Sequence, residues 1–120
     1  MKIYKFENGI YPRTLWVTKD ADVPKLNKLF CFHDGDLITH GDLDDSCAST
    51  YDVFESRSGK FGILVILYKP DAGTIAHEAV HVADYIFDEL GCMAQSFENR
   101  NEPYAYLVGW AAKCMHQAWD

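Results

Sequence analysis

The residues Phe61 to Tyr68, FGILVILY, are the longest apolar run in the chain, and they constrain the fold more than any other stretch. The run is far too short to cross a bilayer, which takes about 20 residues in a helix. Nearly continuous and rich in β-branched side chains, it reads as a buried strand. Ser49–Glu55 alternates loosely ahead of it and Ser58-Gly59 supplies a turn, so Ser49–Glu55 and Lys60–Tyr68 are expected to form a hairpin. Lys69-Pro70-Asp71 ends the second strand.

The flanking segments suggest an α+β domain. Lys2–Phe6 and Thr14–Thr18 mix aromatic and β-branched residues around an Asn8-Gly9 turn signal, which predicts a pair of strands. Asp22–Phe32 carries Val23, Leu26, Leu29 and Phe30 at helical spacing, with Pro24 suited to a first turn. Residues 33–47, HDGDLITHGDLDDSC, are polar, acidic and punctuated by glycine. A long helix is expected from about Ala72 to Leu90 with Gly91 just past its end. A second should run from near Asn101 to about Ala118, after a short polar connector, Cys92–Arg100. No repeat or linker divides residues 1–120, so one domain is expected.

Composition narrows the function. Hydrophobic residues make up 48% of the chain and aromatics 14%, which excludes a disordered segment. The formal charge is −7 and no lysine or arginine cluster occurs, which argues against a nucleic-acid partner or an anionic membrane surface. The start, MKIYKFENG, lacks the apolar stretch of a signal peptide. Cys31, Cys47, Cys92 and Cys114 show no CxxC spacing and read as free thiols of a reducing compartment. A cytoplasmic protein is the expectation.

Within the long helix lies HEAVH, residues 77–81. Residues four apart on a helix have Cβ atoms roughly 5–6 Å apart, so two imidazoles there can share one ion at ~2.0–2.1 Å from each nitrogen. Glu78 is turned off that stripe, where it can address a metal-activated water. With residues placed at about 100° steps, His81, Asp84 and Asp88 fall within about 40° of His77. Ala79, Ala83, Ile86 and Leu90 cluster near the opposite side. The histidines thus occupy a polar stripe, which weighs against a core role and leaves a metal pair or a plain solvated face. A catalytic zinc site takes a third protein ligand, and Glu102 on the next helix, followed by Pro103, is the candidate. Glu98 in the connector competes with it.

HEAVH followed by NEPYAY resembles the gluzincin branch of zinc metallopeptidases, which share the HExxH zincin helix. EPYAYLVGW with HEAVH is also similar to short proteins encoded by phages. The gluzincin resemblance covers about residues 60–115 and implies a zincin-like α+β fold, a mixed sheet packed on the HExxH helix and a glutamate-bearing helix. It also implies one zinc ion held by His77, His81 and Glu102. Glu78 would then be the general base for hydrolysis of a peptide or protein substrate. Tyr85, Tyr104, Tyr106 and His116 are candidate oxyanion donors, and Tyr106, about 40° from Glu102 on its helix, is preferred.

Three departures stand out. Thermolysin-like members carry an aspartate at the position of Tyr106, so Asp84 or Asp88 would have to orient an imidazole instead. The chain ends soon after the second helix, without the C-terminal subdomain of larger members. Pro103 directly follows the ligand glutamate. These features leave room for a second reading, a zinc-containing binding module without hydrolytic activity, such as a phage protein that acts on a host protein.

The acidic segment Asp34–Asp45 fails as an EF-hand loop, because Ile38 and Thr39 stand at its fifth and sixth positions. It reads as a solvated loop, with His33 and His40 as surface residues near turns. Trp16, Trp110 and Trp119 read as core or rim aromatics.

Overall fold

Residues 1–39 and 47–120 are described by a computed structural model, which shows an α+β arrangement built on a mixed sheet. The strands are β1 (Tyr4–Glu7), β2 (Thr14–Thr18), β3 (Phe30–Phe32), β4 (Ala48–Glu55) and β5 (Phe61–Leu67). The helices are α1 (Val23–Leu29), α2 (Ala72–Leu90) and α3 (Glu102–Trp119). A short 3-10 turn, Phe97–Asn99, interrupts the connector between α2 and α3.

The apolar run takes the central place. The spatial order is β1-β2-β5-β4-β3, so β5 has two strands on either side. β4 and β5 form the expected antiparallel hairpin, with Thr50 opposite Val65 and Asp52 opposite Ile63. Gly59 sits in their turn at φ +71°, a conformation that glycine adopts without a Cβ penalty. β1 and β2 pair antiparallel, Tyr4 opposite Val17. β2 and β5 pair in parallel, Trp16 opposite Leu64.

Both faces of β5 are covered, which explains why its sequence does not alternate. Ile63, Val65 and Leu67 join Leu15 and Val17 against Ile75, Ala79, Val82, Ala83 and Ile86 of α2 and Leu107, Ala111 and Met115 of α3. Leu64 and Ile66 face the other way, toward Trp16, Leu26 of α1, Phe30 and Ile38. Gly62 is required by close approach. A Cβ there would meet the Thr14 carbonyl oxygen and the Trp16 ring.

The first helix departs from expectation. It ends at Leu29, and Phe30–Phe32, which the spacing assigns to the helix, is β3, paired with Val53–Glu55. Phe30 is fully buried and its ring packs 4.9 Å from that of Trp16. A local helical spacing has yielded to a pairing with residues more than twenty positions away. Of the acidic segment, residues 40–46, including His40, lie outside the described residues. Among the described residues no helix is long and apolar enough to cross a membrane. All four cysteines are free.

Candidate functional site

The helix that carries HEAVH is bounded as its sequence suggests. Asp71 caps it by accepting from the Thr74 backbone N–H at 2.8 Å, and Gly91 closes it in the left-handed region at φ 69°. His77 and His81 stand one turn apart on its exposed face, and their Nε2 atoms converge to 3.1 Å. Two ligand nitrogens of a tetrahedral zinc with bonds of ~2.0–2.1 Å lie roughly 3.3–3.4 Å apart. The pair therefore fits one ion with little adjustment.

Glu78 points to a different place. It is buried, and its Oε2 accepts a hydrogen bond of 2.5 Å from the Thr50 hydroxyl on β4. A carboxylate that accepts one short bond keeps free lone pairs on its other oxygen. Strand alternation explains the contact. Ala48, Thr50 and Asp52 share the face of β4 turned to α2. A cleft of about 270 Å³ opens between the two elements, lined by Thr50, Tyr51, Glu78, His81 and Tyr85 among others. Tyr85 is held protonated above the ordinary phenol range, first by burial and then by the nearby Asp52 and Glu78 carboxylates. It is thus a hydrogen-bond donor beside Glu78 and His81.

The remaining residues singled out in the sequence stand apart from this cleft. Glu102 opens α3 and is exposed. Among the described residues, the group of three or more ligand side chains whose atoms lie within 4.8 Å of one another does not include it. Tyr104, two residues on, turns toward α2. Its hydroxyl donates to Asp84 Oδ1 at 2.5 Å, and its ring packs edge-on against Phe87. Glu102 and Tyr106 lie about 200° around α3 from Tyr104, on the outer side. Tyr106 is 77% exposed and does not line the cleft, whereas Tyr85 does. Asp84, occupied by Tyr104, does not turn toward an imidazole. Asp88, Glu98 and His116 are exposed.

The start of α3 is irregular. Arg100 and Asn101 both take left-handed backbone, φ 62° and 55°. The Asn101 side chain does not cap the helix; its Oδ1 accepts from the Gln95 N–H at 2.6 Å and closes the connector.

A second group of ligand-type residues has no counterpart in the sequence reading. His33 follows β3, Asp52 is on β4 and Glu89 is in the last turn of α2. Arg13 Nε lies 3.0 Å from Glu89 Oε2. Burial raises the Glu89 carboxyl above its ordinary range, while Arg13 and His33 pull it down. No local spacing signals this group, because its members are far apart in the chain. The chain matches no protein-family model, and no curated protein or solved structure matches it either.

Proposed function

We propose that the chain is a minimal zinc-dependent metallopeptidase of the gluzincin type, with a zincin-like arrangement of sheet, HExxH helix and glutamate helix. The observation that carries the reading is the convergence of His77 and His81 Nε2 at 3.1 Å beside a buried Glu78 anchored by Thr50. His77 and His81 would hold the ion. Two histidines are one ligand short of a catalytic site, and under this reading Glu102, exposed at the start of α3, would be the third ligand. Zinc, when bound, lowers the pKa of water and polarises a carbonyl.

The chain's own residues do the rest. Glu78 accepts the proton of the attacking water on the oxygen that Thr50 leaves open, then passes it to the leaving amine nitrogen. Tyr85 donates its phenol hydrogen to the developing oxyanion. The peptide carbonyl would enter through the cleft between α2 and β4.

A second reading is favoured by the outward position of Glu102: a zinc-containing binding module without hydrolytic activity, for which two histidines and solvent suffice. Metal content per chain tests the assignment, measured for wild type and Glu102→Ala purified without added metal. About one zinc per wild-type chain, lost or sharply reduced in Glu102→Ala, supports the three-ligand site. Zinc retained by Glu102→Ala removes Glu102 from the ligand set. The hydrolytic claim is then read from cleavage of a broad peptide library by zinc-loaded protein, and no cleavage at full occupancy leaves the binding module.

A further inference from the structure

We propose that His33, Asp52 and Glu89 form a second divalent-cation site, separate from the HEAVH pair and best matched to manganese(II). Each residue offers one ligand atom, and the three atoms lie within 4.8 Å of one another. His33 Nε2 is 3.2 Å from Glu89 Oε1, and His33 Nδ1 is 3.4 Å from Asp52 Oδ2. Glu89 is eight residues beyond His81 on α2, about 12 Å along the helix, so the two sites do not share an ion.

The independent sign of a missing ligand is Glu89 itself. Its side chain is nine-tenths buried, with 10% relative exposure. Oε2 is taken by Arg13, but Oε1 is fully buried and has no hydrogen-bond partner. His33 Nε2 is close enough to attract it, yet is not aligned to donate to it. Buried carboxylate oxygens left in this state are costly, and an ion is one of the few groups that satisfies them. Arg13 fits the same picture as the outer partner that fixes a ligand carboxylate. His33 and Asp52 are about one-third exposed, which leaves an entry path and room for water to complete the sphere.

The donor set selects the ion. Two carboxylates suit manganese, and one imidazole favours a transition metal over calcium or magnesium. The bound ion would tie together the segment after β3, the middle of β4 and the end of α2.

The test isolates this site by working in the His77→Ala/His81→Ala background, so its outcome does not depend on the peptidase reading. Manganese(II) alone is titrated into metal-free protein and followed by its electron paramagnetic resonance signal. The expected result is one ion per chain with a Kd below about 100 μM and a rise in melting temperature on saturation. Adding Glu89→Gln, or separately Asp52→Asn, should weaken binding at least about tenfold and cancel that rise. Absence of stoichiometric binding in a background that circular dichroism shows to be folded would overturn the proposal. Binding that neither substitution weakens would overturn it as well. Either result would leave His33, Asp52, Glu89 and Arg13 as an ion-pair cluster.

Discussion

Thr50 on β4 donates its hydroxyl to Glu78 on α2 at 2.5 Å, a side-chain link between the sheet and the HEAVH turn. It occupies Oε2 of the carboxylate. Under the peptidase reading, Glu78→Gln lowers kcat by about 10²–10⁴-fold, the usual worth of a general base, while zinc content stays at the wild-type level. Thr50→Val keeps the shape of the side chain and removes the donor, so it lowers kcat with zinc also retained. Full activity of Glu78→Gln would sink the assignment of the base.

The two tyrosines separate in a similar assay. Tyr85 lines the cleft with Glu78 and His81, whereas Tyr106 is largely in solvent. Tyr85→Phe is expected to lower kcat by about 10²–10³-fold, as loss of one oxyanion donor does. Tyr106→Phe leaves kcat and KM near wild type. The reverse result would return the donor role to α3.

The Tyr104 phenol provides a pH test that needs no substrate. Burial first, and then its hydrogen bond to Asp84, push it up to about 12 from 10.0. Because the folded value is the higher one, the neutral phenol favours the folded state. That contribution is complete below the unfolded value near 10 and is lost as the pH rises through about 12. The ultraviolet phenolate titration of wild type minus Tyr104→Phe should show a late-ionising tyrosine, and Asp84→Asn should bring it earlier.

Two glycines predict opposite signs. In Gly62→Ala the added methyl would stand 2.3 Å from the Thr14 carbonyl oxygen and 2.5 Å from the Trp16 ring. The backbone of β2 cannot step aside without weakening the β2–β5 ladder, so a loss of about 1–3 kcal/mol is expected. Gly109 lies inside α3 with nothing within 4 Å of such a methyl. Gly109→Ala should gain roughly 0.8–1.0 kcal/mol from helix propensity. Urea midpoints measure both.

Those elements whose pattern is local were legible in the sequence. α2 begins and ends where Asp71 and Gly91 place it, and the β4–β5 hairpin follows from its turn and apolar run. The histidine pair was legible for the same reason, since spacing on one helix sets it. What was hidden depends on contacts between distant segments. Phe30–Phe32 has helical spacing after Leu26 but is drawn into β3 by Val53–Glu55. Thr50 is an ordinary strand residue until α2 crosses it. Spacing places Tyr106 and Glu102 on one side of α3, but nothing in a single helix says which of its sides meets a neighbour. Tyr104 meets it, through Asp84 and Phe87.

The parallel seam between β2 and β5 has a kinetic consequence. β4, β5 and α2 follow one another in the chain, so their mutual contacts close short loops and can form early. Thr14–Thr18 must find Gly62–Ile66, nearly fifty residues on, and loop closure of that span delays the pairing. Topology therefore predicts that the amino-terminal ribbon docks late, onto a carboxy-terminal half that already carries HEAVH.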